Sequence, residues 1–270
     1  MLKDISIGQF FPGKSPLHRM DPRMKILLTV AFIVLIFVVR NLFAFLAVIA
    51  FLFTIIGISG ISVKTVLRGV KPILPLVLFT AVLNLFFVSG TPVVSWWIIT
   101  ITKEGIELSI LMAVRIVCLI MGASMLTYTT SPIALTDALE RLFKPLNAIH
   151  FPVHEMAMMM TIALRFIPTL IEETDKIMSA QKARGADLET GGLVKRAKAL
   201  IPILIPLFVS AFRRAEELAL AMECRCYRGG EGRTRMKQLK LSIVDLWSTL
   251  VFTAVFAGSV LLNIYLPPVF

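Results

Sequence analysis

Five stretches of the chain are apolar over close to the roughly 20 residues that a helix needs to cross a bilayer. They lie at about 25–39, 41–60, 72–90, 105–128 and 242–266. Only Arg40 and Asn41 divide the first two, which predicts a tight hairpin. Between 129 and 241 the pattern changes: apolar residues still recur at helical spacing, but this segment holds 17 of the 28 Lys and Arg and 12 of the 17 Asp and Glu. Charge at that density cannot face lipid, so these helices are expected at the membrane's edge rather than across it. Thr129-Thr130-Ser131-Pro132 opens the first, with Ser131 as N-cap and Pro132 at the first helical position, and it should run to about Phe143. A second is predicted over 153–187 with a kink near Pro168, and a third over 193–227 with Pro202 and Pro206 bending its first half. Each of these two would be about 50 Å long. Both are apolar first and charged later, as suits helices that lie against membrane helices at one end and project into the cytoplasm at the other.

Composition agrees. The chain is 57% hydrophobic with a mean hydropathy of +0.84, too apolar to be hidden in one soluble core, so a lipid bilayer must be its main solvent. The net charge of +11 does not point to nucleic acid, because the cations gather at the ends of apolar runs. Lys3, Lys14, Arg19, Arg23 and Lys25 precede the first run, and Lys64, Arg68 and Lys71 stand between the second and third. This positive-inside pattern places the N-terminus and residues 129–241 in the cytoplasm and Phe270 outside. The 91–104 loop, with one Lys and the Trp96-Trp97 pair, suits the outer interface. No segment reads as a cleaved signal. The expected organisation is an all-α polytopic membrane protein: a four-span membrane domain over 1–128, a cytoplasmic-side segment of three helices, two of them long, over 129–241, and a C-terminal span over 242–270.

Several local patterns are bland on inspection. Gly8 to Ser15 fits the P-loop spacing letter for letter, but no strand precedes it, Pro12 removes an amide from the loop, and Pro16 and Pro22 follow. His150 and His154 are four apart with Phe151-Pro152 breaking the helix between them, and Cys224-x-Cys226 lacks further ligands, so no metal site is expected. The three cysteines form no disulfide framework. Nothing in the chain asks for a cofactor, and no catalytic constellation stands out. Arg115 lies mid-span, with Asn84, backbone carbonyls or carboxylates from below as its possible partners, and a structural role is expected.

One relationship is more informative. Shifting the stretch ending Ala183-Arg184-Gly185 by 41 residues places Arg184 on Arg225 and Asp175 on Glu216. A lone arginine there would be an ordinary C-terminal cation, and Gly185 an ordinary C-cap. Occurring twice, the pattern points to two helix ends built to grip two similar soluble partners, the guanidinium fork being suited to carboxylates or carbonyls. Met156, Met158, Met159 and Met160 open the first long helix, and such thioethers serve equally as core filler or as an adaptable binding face.

These segments together resemble the transmembrane T component of energy-coupling factor transporters, a class of ABC importers, from about residue 14 to 230. The resemblance lies in Ser15 to Lys25, Thr129-Thr130-Ser131-Pro132, Leu164-Arg165-Phe166-Ile167-Pro168, Ala180 to Gly185, Arg213 to Ala219 and Ala221 to Tyr227. It implies a non-catalytic scaffold whose two long coupling helices dock into two cytoplasmic ABC ATPases. It also implies a membrane-embedded S component, held on their apolar faces, that captures a vitamin or metal ion. By position, Ala183, Arg184 and Gly185 are the first ATPase-binding motif. Cys224, Arg225 and Cys226 are the second, which keeps the arginine and departs at both neighbours, leaving Gly229-Gly230 as another way to end the helix. Met156, Met158, Met159 and Met160 are the candidates for the S-component seat. A secondary transporter would instead need a polar midplane site, and a membrane enzyme would need paired catalytic groups. The spans offer little for either beyond Arg115 and Asn84.

Overall fold

The computed structural model describes residues 10–39, 41–96, 99–186, 192–230 and 239–265. Gly8, Arg40, Trp97 and Phe270 lie outside them. Its helices are α1 (Pro16–Arg19), α2 (Pro22–Val38), α3 (Leu42–Ser59), α4 (Val63–Val70), α5 (Leu74–Phe87), α6 (Lys103–Thr129), α7 (Pro132–Phe143), α8 (Val153–Ala183), α9 (Leu193–Glu223) and α10 (Ile243–Tyr265). A hairpin of β1 (Pro92–Trp96) and β2 (Ile99–Thr102) joins α5 to α6, antiparallel with Trp96 opposite Ile99. The chain is an all-α polytopic membrane protein apart from this hairpin. Among the described residues Val63–Phe87, Lys103–Thr129 and Ile243–Tyr265 are long and apolar enough to cross a membrane, and Phe43–Ser59 is shorter.

The described residues divide into two compact units. One takes in the described residues within 8–135 and 238–270, the other those within 136–237. The core of the first forms where α2, α3 and α6 meet, around Leu35, Ile36, Val48, Leu52 and Ile56, all essentially inaccessible. α2 stops at Val38, and Asn41 caps α3 by accepting from the Phe43 amide at 3.0 Å; the turn of the expected hairpin falls on Arg40, outside the described residues.

Arg115 has its partner in that turn. Its Nη2 donates to the Val39 carbonyl at 2.9 Å, while Asn263 Nδ2 donates to Val38 O at 3.3 Å. Carbonyls at a helix end have no intrahelical partner, and in hydrocarbon they have no water either. Of the three partners considered for Arg115, a backbone carbonyl is thus seen among the described residues.

The other ends of α2 and α10 are stapled. Asp21 caps α2 through the Arg23 amide at 2.9 Å and holds the Arg23 guanidinium at 2.8 Å. The Asp245 carboxylate accepts from the amides of Asp21 at 2.7 Å and Ser242 at 2.6 Å. Lys25, 6% exposed, donates to Thr129 O at 2.9 Å and Thr130 Oγ1 at 3.2 Å, tying α2 to the end of α6.

The structure departs from expectation in two connecting segments. Residues 63–70, expected as a charged connection, form an amphipathic helix capped by Ser62, with Val66 and Val70 buried. The 91–104 loop contains the β-hairpin, closed by Glu104, whose carboxylate accepts from the Thr91 amide at 2.8 Å. At the N-terminus, Ser15 Oγ pairs with His18 Nδ1 at 2.7 Å, and the helix that follows is four residues long, not the long helix of a P-loop.

Candidate functional site

The second unit contains both predicted helix ends. Ser131 opens α7 as expected, its Oγ accepting from the Ala134 amide at 3.3 Å. The long helices α8 and α9 contain 31 residues each, about 46 Å at 1.5 Å per residue.

They pass each other in opposite directions. Glu173 of α8 meets Ser210 and Arg214 of α9, and Gln181, eight residues further along α8, meets Pro202, eight residues back from Ser210. The Glu173 carboxylate accepts from the Ser210 hydroxyl and from Arg214 Nη2, the latter at 3.0 Å. The Ser210 hydrogen bond, aided by the Arg214 charge, holds the Glu173 carboxyl below the usual carboxylate range. The Gln181 contact follows from sequence: Pro206 has no amide, so the carbonyl four residues earlier, Pro202 O, lacks its helical donor. Gln181 Nε2 supplies one at 3.3 Å.

Both helices finish in the same motif. At α8 the Gly185 amide donates to Lys182 O and the Ala186 amide to Gln181 O, each at 3.0 Å, with Gly185 at φ +85°. At α9 the Cys226 amide donates to Glu223 O at 2.8 Å and the Tyr227 amide to Met222 O at 3.0 Å, with Cys226 at φ +55°. These paired bonds define a Schellman end with a left-handed residue at its corner. Cys226 occupies the corner that Gly185 occupies 41 residues earlier, and the arginine precedes the corner in both. The helices therefore close about four residues before their predicted ends, and α9 is ended by Cys226 rather than by Gly229-Gly230.

Arg184 and Arg225 are both exposed, as are Ala183, Gly185, Cys224 and Cys226. Among the described residues neither guanidinium has a hydrogen-bond or ion-pair partner. Each lies 11 residues beyond the crossing (184 − 173 and 225 − 214), about 16 Å along its helix. Because the helices are antiparallel, the arginines sit at opposite ends of the pair, on the order of 30 Å apart.

The methionines divide. Met156, Met159 and Met160 share one face and are 40%, 59% and 42% exposed, whereas Met158 is half-buried. Val153 and Ala157 form the buried side of that turn. A larger apolar surface lies on α9, where Leu204, Ile205, Phe208, Val209 and Phe212 are all exposed. Its helical period was visible in the sequence, though the methionines drew the site assignment. His154, set aside as a ligand, pairs with Glu140 at 2.9 Å, and His150 turns the chain at φ +59°.

The family model described as cobalt transport protein, CbiQ, matches residues 13–236. The chain is 55% identical over 265 residues to the energy-coupling factor transporter transmembrane protein EcfT of Ruminiclostridium cellulolyticum, covering 98% of this chain and 99% of that protein. It is 52% identical over 267 residues to the protein of the same name from Clostridium kluyveri, with 98% and 99% covered. The Brevibacillus brevis protein is 53% identical over 246 residues, with 91% and 93% covered.

Proposed function

The chain belongs to the family of energy-coupling factor transporter transmembrane proteins, and from that premise we propose that it is the coupling subunit of an ATP-driven importer. In this reading it hydrolyses nothing itself. Arg184 and Arg225, with Ala183, Gly185, Cys224 and Cys226 around them, dock two cytoplasmic ABC ATPases. A membrane-embedded S component, which brings a vitamin or other micronutrient, rests on the apolar faces of α8 and α9, with Met156, Met159 and Met160 as part of the seat and Met158 behind them.

The observation that carries this reading is the equivalence of the two helix ends. Two exposed guanidiniums, neither paired among the described residues, each preceding a left-handed corner and each 11 residues beyond a shared crossing, fit two similar partners approached from opposite sides. A charged hydrogen bond from an arginine fork to a carboxylate or carbonyl is strong and directional. When the ATPases move relative to one another, the helix ends must follow, and the crossing at Glu173 and Arg214 is the natural pivot. Such movement does work on the S component only if that subunit binds the two arrangements with different affinity.

The domain reading accompanies this: membrane spans over 1–128 and 242–270, and a cytoplasmic-side coupling segment over 129–241, with the N-terminus inside. It is supported by the cation pattern and by the separate packing of Thr136–Lys237. Co-purification tests the proposal. Two ATPase subunits and one further small membrane protein should accompany the tagged chain, and recovery of the chain with neither would refute it.

A further inference from the structure

At about 100° per residue, the side chains of α4 sort into three arcs. Thr65, Gly69, Val66 and Val70, at about 200° to 340°, turn inward, and Val66 and Val70 are buried. Val63 and Leu67, at about 0° and 40°, are 42% and 50% exposed. Lys71, Lys64 and Arg68 follow at about 80°, 100° and 140°, and all three are exposed. The outer surface of this short helix therefore has an apolar flank beside a cationic one. Its level is fixed on two sides. A 3₁₀ turn over Lys71–Ile73 leads straight into α5, and Val63–Phe87 as a whole is long and apolar enough to cross a membrane. Gly69 lies against Tyr128 at the end of the α6 span, so close that a Cβ there would come within 2.8 Å of the Tyr128 hydroxyl. Both neighbours put α4 where two spans reach the bilayer surface.

We propose that α4 lies along the membrane surface as a binding face for anionic phospholipid headgroups, with Val63 and Leu67 turned to the acyl boundary and Lys64, Arg68 and Lys71 to the phosphates. Within the membrane unit these three cations are uncompensated: among the described residues none has a hydrogen-bond or ion-pair partner. The unit's described carboxylates are Asp21, Glu104, Glu107 and Asp245. Asp21 and Asp245 offset Arg23 and Lys25, Glu104 accepts from Thr91, and Glu107 pairs with Lys103 at 3.9 Å. A helix divided in this way is stable in the interface plane, because its apolar flank reaches hydrocarbon while its charges stay in the headgroup layer. One cation near an anionic surface is worth about fivefold in favour of such lipid, and three on a helix about 12 Å long act on the same few lipids. An acidic protein would match the cations equally. The apolar flank, continuous with a spanning helix, is what favours lipid.

The test uses the full chain in phosphatidylcholine vesicles at low salt. Trp96→Phe, Trp97→Phe and Trp247→Phe remove its three tryptophans, and Leu67→Trp puts one indole on the exposed flank. Phosphatidylglycerol brominated high on its acyl chains should quench that indole by half at a mole fraction at least about fivefold lower than brominated phosphatidylcholine needs. High salt should shrink the difference. Lys64→Gln, Arg68→Gln and Lys71→Gln together should make the two lipids equal, and these changes break no described side-chain contact. Lys64→Arg with Lys71→Arg should keep the preference, since the charge is kept. Equal quenching by the two lipids with all three cations present, or a preference that survives the triple change, would overturn the assignment. Loss of co-purifying proteins from the triple variant with its lipid preference unchanged would give the face to an acidic protein instead.

Discussion

Glu173 and Arg214 pair at 3.0 Å where α8 and α9 cross, and they occupy the same position in the two helices. They are 41 residues apart, the same offset that relates Arg184 to Arg225 and Gly185 to Cys226. A contact between equivalent positions marks a local two-fold relationship, with each helix contributing one half of the crossing and one exposed end.

The crossing yields a charge-swap prediction. Glu173→Arg alone opposes two cations and should slow uptake, and Glu173→Arg with Arg214→Glu should restore most of it. Both side chains are partly exposed, so the coupling energy in a double-mutant cycle should be small, about 0.2–1 kcal/mol. The pH dependence has a fixed sign. Since folding lowers the Glu173 pKa, its contribution is full above the ordinary glutamate value of about 4.3 and is lost as pH falls through the lowered folded value. Urea unfolding at pH 7 and pH 4 should show a smaller drop in Glu173→Gln than in the parent chain. An equal drop would mean that the pair does not stabilise the crossing.

The left-handed corners yield the second. Gly185 at φ +85° has open space around it, so alanine there meets no clash but does meet the left-handed penalty, about 1–2 kcal/mol. Gly185→Ala should fray the last turn of α8, seen as faster exchange of the Ala186 amide and of the amide at position 185 than in the parent chain. Cys226→Gly relieves the same penalty at φ +55° and should leave stability unchanged or raise it by up to about 1 kcal/mol. ATPase co-purification should persist in Cys226→Gly. If it is lost instead, the thiol and not the backbone corner is what the partner reads.

The sequence makes the starts of helices legible and their contacts much less so. Ser131-Pro132 and the apolar onsets near 153 and 193 announce α7, α8 and α9 because caps and periodicity are local signals. The end at Cys226 was hidden, since a left-handed corner normally advertises itself through glycine, and here a paired set of backbone bonds holds a cysteine there. The helix α4 was missed for a related reason: Lys64, Arg68 and Lys71 dominate a charge reading, while Val66 and Val70 reveal the buried face only once a neighbour exists to bury it. The 41-residue offset was visible at the arginines. That it also pairs Glu173 with Arg214 depends on antiparallel crossing, which no one-dimensional pattern states.

Arg115 should behave as a structural residue. Arg115→Met removes the donor to the Val39 carbonyl, which in hydrocarbon has no water to replace it, at a cost of about 1–3 kcal/mol. Thermal unfolding of the solubilised complex should shift down while uptake per folded transporter stays near the parent value. Loss of uptake at unchanged stability would instead assign Arg115 a part in transport.

The apolar faces can be separated from the core by exposure. Glutamate at Met156, Met159 or Met160 falls on an exposed face and should release the S component while the ATPases remain bound. Phe208→Glu and Phe212→Glu on α9 should do the same. Glutamate at half-buried Met158 should lower expression of the whole assembly. If the three exposed methionine variants keep every partner, the seat lies elsewhere.

The two arginines bear the most specific prediction. Each guanidinium is exposed and unpaired among the described residues, so its removal breaks no described side-chain contact. Arg184→Ala or Arg225→Ala should leave thermal stability within about 0.5 kcal/mol. Losing one charged contact with a partner typically costs about 1.5–3 kcal/mol, roughly ten- to hundredfold in affinity. With the second contact intact, that loss is masked in a pull-down, because rebinding at the other end is effectively intramolecular. Single variants should therefore lose uptake more than assembly, and the double variant should lose both ATPases. Lysine should rescue poorly at either position, since it restores the charge but not the planar fork. A double alanine variant that folds, retains both ATPases and transports at the parent rate would reduce the arginines to ordinary helix-end cations.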